Sequence, residues 1–321
     1  MSPGATARSD TAAGRARSAA LTGVSFVTGG GGFAGRHLVE LLGAEGLDLA
    51  APSSDDVDLL DRGAVEATLR AVAPASIFHL AAFSSPQLSW QQPEQALLTN
   101  MEMTLNVLEA SRAAAPDAHV VIVASGQVYG EPESMPVTEA ARLEPGNPYA
   151  VSKAACDMLG HQYARAHGMH VVRVRPFNHA GPGQSDDYVV STLARQVAEA
   201  ERDDRDAVLR TGDVRVQRDF TDVRDVVRAY LLAASLEPRA YNVCSGRCTS
   251  IADLIGVLAE EAKVTVRQET DPDRLRPHEP PALRGSHDRL SEASGWKPEI
   301  PLAQTVRDTL DWWRAQLPRA G

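Results

Sequence analysis

Apolar residues come in short blocks separated by amphipathic stretches. Val24-Ser25-Phe26-Val27-Thr28 is a largely apolar run of strand length, and Leu38, Leu41 and Leu42 then recur at helical spacing. The same rhythm predicts a strand near 47–51, a helix over 64–72 and a strand over 76–79. A helix over 100–111, a strand over 119–124, a helix over 149–167 and a strand over 170–175 follow. Strands alternating with helices imply parallel pairing through right-handed crossovers. The strands are continuous apolar runs, as expected of a sheet covered on both faces.

Beyond Phe177 the rhythm breaks at Gly181-Pro182-Gly183. Helices are expected over 189–200 and 222–236, and strands over 207–210 and 240–244. The last ~80 residues should hold two or three helices around the proline-rich stretch 271–281. The predicted fold class is α/β, a doubly wound parallel sheet of Rossmann type with a smaller, irregular C-terminal α/β lobe. Residues 1–20, rich in Ala, Arg, Ser, Thr and Gly, read as a disordered tail.

Composition narrows the function. A chain of 321 residues has room for one broad domain or two unequal ones. Its net charge of −10 argues against a nucleic-acid partner. No apolar run approaches the ~20 residues of a membrane span, and the tail lacks the apolar stretch of a signal peptide, so no membrane partner is expected. The cysteines, Cys156, Cys244 and Cys248, are odd in number and loosely spaced. That fits a reducing compartment, the cytoplasm, better than a disulfide framework. Cys244 and Cys248 have no second pair to complete a metal site, so no metal is expected.

The first strand runs into Gly29-Gly30-Gly31-Gly32-Phe33-Ala34-Gly35 and then a helix. Glycines at 29, 32 and 35 let a turn tighten and let backbone approach a pyrophosphate at the helix N-terminus. The second strand ends in Ala51-Pro52-Ser53-Ser54, with neither the acid that would hold an NAD ribose nor the base that would favour NADP. Asp58, before Leu59, suits either an adenine amino group or the cap of the next helix.

Asn147-Pro148-Tyr149-Ala150-Val151-Ser152-Lys153 sets a tyrosine one helical turn before a lysine. Such a pair is either a surface accident or a phenol prepared for proton transfer.

Several motifs occur in order: the glycine loop, His79-Leu80-Ala81-Ala82, Ser125-Gly126-Gln127-Val128-Tyr129-Gly130, Tyr149-x-x-x-Lys153, Arg175-Pro176-Phe177-Asn178 and Arg218-Asp219-Phe220-Thr221-Asp222-Val223. Over residues 24–313 the chain resembles an extended short-chain dehydrogenase/reductase of the NAD-dependent epimerase/dehydratase family, whose members act on nucleotide sugars. The resemblance implies a nicotinamide dinucleotide, NAD or NADP, held within residues 21–177. It implies a sugar-nucleotide lobe over 178–318, with about 214–244 returning to the first domain. Catalysis falls to Ser125, Tyr149 and Lys153. Lys153 and the positive nicotinamide should lower the phenol's pKa from its ordinary value near ~10, and Ser125 should steady charge on the sugar oxygen. Further cofactor contacts are implied for Gly29, Gly32, Phe33, Ala34, Gly35, Asp58, Leu59, Leu80, Ala81, Ala82, Asn100 and Pro176. Substrate contacts are implied for Ser84, Gln127, Asn178, Arg218 and Arg276, the arginines suiting diphosphate oxygens or standing as surface cations. Tyr129 reads as structural.

The downstream motifs, with Leu275-Arg276-Pro277 and Gly295-Trp296-Lys297-Pro298, resemble GDP-4-keto-6-deoxy-D-mannose reductases and their GDP-mannose 4,6-dehydratase relatives. Dehydratases of this kind carry Glu or an Asp-Glu pair after the catalytic Ser or Thr. Gly126 and Gln127 stand here, and an amide is no general base. The expectation is therefore reduction of the C4 keto group of a nucleotide-linked 4-keto-6-deoxyhexose. A 4-epimerase, a 4,6-dehydratase and a non-catalytic NAD(P)-binding protein are the alternatives. Helices over 95–111 and 149–167 match those that form a four-helix homodimer interface in the family.

Overall fold

The computed structural model describes residues 22–275 and 280–318. The expected tail and Arg276 lie outside the described residues.

The first half alternates as its pattern requires. Strand β1 (Ser25–Thr28) leads to helix α1 (Phe33–Ala44), and β2 (Leu49–Ala50) to α2 (Arg62–Val72) and β3 (Ser76–His79). Two helices follow, α3 (Pro86–Gln91) and α4 (Pro93–Ala114), and then β4 (His119–Val123) and a 3-10 turn at Gly126–Tyr129. Helix α5 (Pro148–His167) and β5 (Val171–Pro176) complete this half. Caps explain the boundaries the periodicity misses. Asp61 accepts the Ala64 N–H at 3.1 Å and starts α2 at Arg62, and Ser85 caps the unforeseen α3. Proline stands in the first turn of α3, α4 and α5, where its missing N–H breaks no helical bond.

The second half is less regular. It holds β6 (Asn178–Ala180), α6 (Val189–Arg202), β7 (Ala207–Thr211), β8 (Gln217–Arg218), β9 (Phe220–Asp222), α7 (Val223–Ala233) and β10 (Ala240–Val243). Then come β11 (Thr249–Ser250), α8 (Ile251–Glu261), β12 (Val266–Thr270), β13 (Ala282–Leu283), α9 (Asp288–Ser294) and α10 (Leu302–Gln316). Strand β12 pairs in parallel with β7, a partner its exposed, charged sequence did not announce.

The main sheet has the order β2-β1-β3-β4-β5-β10, with every neighbouring pair parallel. β1, β3, β5 and β10 are buried along their whole length. One face is filled by Leu38 and Leu42 of α1 with Val226, Val227 and Tyr230 of α7. The other is filled by Val65 and Leu69 of α2, Val107 and Leu108 of α4, and Tyr163 of α5. The chain leaves β1 outward to β2 and returns on the other side at β3. The strand order therefore reverses between β1 and β3, and such a switch point opens a crevice at the strands' carboxyl ends.

Candidate active site

The crevice is a cleft of about 2950 Å³ running from the carboxyl edge of the sheet to the second half of the chain. Pockets for a single drug-sized ligand measure ~300–1,000 Å³, and this cleft is larger than that.

Backbone geometry builds its floor. Gly29 has φ +72°, and a Cβ there would stand 2.7 Å from the Ala81 nitrogen. The glycine loop and the His79-Leu80-Ala81-Ala82 segment thus touch backbone to backbone. A Cβ on Gly35 would meet the Gly29 oxygen at 2.0 Å, whereas one on Gly31 would meet nothing within 4 Å. The loop is packed shut on the protein side and open on the cleft side. Gly32 caps α1 without a side-chain acceptor, leaving first-turn N–H groups for an anion. The Phe33 ring stacks on His179 at 5.8 Å, and His37 contacts the Pro182 carbonyl oxygen at 2.9 Å, tying α1 to the 178–183 segment. This cradle and the open face at Gly31 fit a dinucleotide pyrophosphate.

Gly29, Gly32, Phe33, Ala34, Gly35, Asp58, Leu59, Leu80, Ala81, Ala82 and Pro176 all line the cleft. Asp58 accepts the Leu60 N–H at 2.9 Å and does not cap α2, a role taken by Asp61. Asn100 is set back from the lining. It is 2% exposed, accepts the Phe83 N–H at 2.7 Å and donates to the Ser152 hydroxyl at 2.8 Å. Its geometry is that of a brace between the Ala82-Phe83 floor and α5.

The three chemical residues stand together. Ser125, two residues past β4, accepts the Gln127 N–H at 3.1 Å and lines the cleft together with Tyr149. Asn147 caps α5 through the Ala150 N–H at 2.8 Å, which fixes the turn carrying Tyr149. Lys153 is 6% exposed and donates to the Val123 carbonyl at 2.8 Å. In the protein alone the expected lowering of the phenol by Lys153 is not seen. Burial, and next the nearby Tyr188, push the Tyr149 phenol well above its ordinary value, and Ser125 opposes them. Lys153 does not offset that rise, because its ammonium is turned to a main-chain carbonyl and burial lowers its own pKa. The protein by itself holds Tyr149 as a neutral phenol.

Behind Lys153 lies a buried polar chain. His79 is held by Thr28 at 2.8 Å and Thr104 at 3.1 Å, and its pKa is pushed down to about 3 by burial and then by Lys153. Tyr129 donates to Asn242 at 2.7 Å and receives a bond from Arg175 at 2.9 Å. It is a buried structural phenol, pushed up to about 12 chiefly by burial.

The residues expected to meet substrate line the other end. Ser84, Ser125, Gln127, Asn178 and Arg218 all face the cleft. The Gln127 amide oxygen accepts from Asn147 at 3.1 Å. Gly126 has no room for a side chain, since a Cβ would stand 2.8 Å from the Phe177 ring. Arg210, Arg215, Arg274, Tyr188 and Tyr230 also line the cleft and were missed. They come from separate elements, so no linear motif gathers them.

Residues 50–309 match the profile of the family described as GDP-mannose 4,6 dehydratase. The chain is 38% identical over 297 residues to the GDP-6-deoxy-D-mannose reductase of Pseudomonas aeruginosa, covering 91% of this chain and 97% of that one. It is 29% identical to the UDP-glucose 4-epimerase of Mycolicibacterium smegmatis, covering 90% and 98%. Among solved structures, RMD from Pseudomonas aeruginosa complexed with NADPH superposes with a TM-score of 0.85 at 38% identity, covering 92% of this chain and 100% of that one. The Thermus thermophilus UDP-glucose 4-epimerase complex with NAD gives 0.80 at 30% identity, with coverage of 92% and 100%. With a profile match across most of its length and a relative of this identity along nearly the whole chain, the protein belongs to the GDP-mannose 4,6-dehydratase family.

Proposed function

We propose that this chain is a nucleotide-sugar oxidoreductase that reduces the C4 keto group of a GDP-linked 4-keto-6-deoxyhexose with NADPH or NADH. The observation that carries the reading is Ser125, Tyr149 and Lys153 lining one cleft beside a Gly126-Gln127 pair that offers no carboxylate, with burial favouring the neutral phenol of Tyr149. A protonated phenol is what a ketone needs as it becomes an alkoxide. The Pseudomonas reductase supports the choice of base and sugar.

The dinucleotide would supply the hydride, held by Gly29, Gly32, Phe33, Ala34 and Gly35, by Leu80, Ala81 and Ala82, and by Pro176, with Asp58 and Leu59 towards the adenine. Tyr149 gives its proton to the C4 oxygen while Ser125 donates to the same oxygen. Lys153 holds the nicotinamide ribose from its seat on Val123. Ser84 and Gln127 orient the sugar, and Asn178, Arg218 and Arg276 take the diphosphate. In this reading residues 21–177, with about 214–244, hold the dinucleotide, and the remainder of 178–318 takes the sugar nucleotide.

Dehydration at C5 and C6 is disfavoured on two counts. Gln127 is an amide, and a carboxylate at position 126 would collide with Phe177. The protein acts as a homodimer. Leu98, Met101 and Leu105 on α4 and Val151 and Met158 on α5 are exposed at helical spacing, and a second copy would cover them. All three cysteines are free thiols, in keeping with work in the cytoplasm.

The test is dinucleotide oxidation with GDP-4-keto-6-deoxy-D-mannose, expected to be equimolar with the alcohol formed. No oxidation, together with interconversion of UDP-glucose and UDP-galactose and NAD retained through purification, would replace this reading with an epimerase.

A further inference from the structure

Tyr230 stands in the middle of α7 with its side chain under the carboxyl edge of the sheet. It is 0% exposed, and its hydroxyl has no hydrogen-bond partner among the described residues. The other buried tyrosine hydroxyls among the described residues differ: Tyr129 is held by Asn242 and Arg175, Tyr163 donates to Glu109, and Tyr241 donates to the Glu237 carbonyl. A buried phenol left unpaired loses its hydration without a replacement bond, and phenylalanine of the same shape would fill this site without that cost. The unpaired oxygen therefore calls for a partner that the polypeptide does not provide.

The partner can be located. Tyr230 lines the cleft, beside Val123, Ala124 and Pro176 at the strand ends. Its phenol lies close enough to Tyr149 for that residue to oppose its ionisation. Its helix packs on α1, which begins at the glycine loop, so Tyr230 belongs to the wall that would carry the dinucleotide and not to the lobe that would carry the sugar. Burial holds the phenol neutral, so it acts as a hydrogen-bond donor and not as an anion.

We propose that the Tyr230 hydroxyl donates to the nicotinamide end of the bound dinucleotide, directly or through one trapped water, and so sets the depth of the reacting ring beside Tyr149. Tyr230 is a positioning residue. The inference rests on the dinucleotide-binding reading above and adds a contact on the opposite side of the sheet from Lys153.

Tyr230→Phe tests it without sugar substrate. Affinity for NADPH and NADH is measured by titration calorimetry, with 2′,5′-ADP as a probe of the adenosine end alone, alongside thermal melting. The dinucleotide that the parent binds more tightly should bind about 3- to 10-fold more weakly to the variant. Binding of 2′,5′-ADP should be unchanged, and Tm should be equal or higher. Unchanged dinucleotide affinity would overturn the proposal. So would equal weakening of 2′,5′-ADP, or a lower Tm, since either would make the hydroxyl a structural group. A parent chain that binds no dinucleotide would sink the oxidoreductase reading as well, which separates the two failures.

Discussion

The Lys153 ammonium donates to the Val123 carbonyl at 2.8 Å, at the end of the strand that leads to Ser125. The contact joins α5 to β4 and sets the lysine behind the phenol rather than against it. Lys153→Met keeps the apolar stem and removes the charge. It should keep the fold and lose more than ~10²-fold in kcat/KM, with weaker dinucleotide binding. Circular dichroism and steady-state kinetics check both.

Tyr149→Phe removes the proton that the site holds. Turnover should fall by ~10²–10⁴-fold while dinucleotide affinity changes little. Because burial raises the phenol above its ordinary value, reductive kcat should not decline with pH until the alkaline range above ~10. A decline near neutral pH, absent when only the buffer is changed, would mean that another group gives the proton.

His79 links folding to pH. Its folded pKa of about 3 lies below the ordinary 6.5, so the native state binds fewer protons than the unfolded chain. The stability it contributes is complete above about 6.5 and is lost as pH falls towards about 3. Melting curves of the parent should drop across that window. Those of His79→Gln should start lower and drop less steeply, because Gln still bonds Thr28 or Thr104 but takes no proton.

Two glycines separate packing from binding. Gly35→Ala sets a methyl against the Gly29 oxygen, so Tm and dinucleotide affinity should both fall. Gly31→Ala meets no protein atom within 4 Å. Its Tm should match the parent while affinity falls, since the methyl enters the space of the pyrophosphate. Melting and titration of the two variants provide the contrast.

The exposed apolar stripe gives the last prediction. Met158 is 64% exposed and Leu98 56%. Leu98→Glu with Met158→Glu should convert a dimer into a monomer by light scattering, with Tm of the isolated subunit little changed. A parent that is already monomeric would refute the interface.

Much was legible in the sequence because it is local. Period and length predict the strand-helix alternation, and the ordered motifs from Gly29 to Lys153 carry the family resemblance that implies the cleft's chemistry. Each motif is local, such as the glycine loop or the Tyr149-Lys153 turn, where backbone freedom and helical spacing act directly. Tertiary structure decided what depends on neighbours far apart in the chain. It turned Lys153 towards Val123 and buried Tyr149, so that in the protein alone burial raises the phenol and an ammonium already engaged does not offset it. It set Asn100 back as a brace, closed position 126 with the Phe177 ring, and brought Arg210, Arg215, Arg274, Tyr188 and Tyr230 to one cleft. The last five carry no signal in the linear pattern, since what makes each one matter is desolvation and packing against partners that only the completed fold brings within reach.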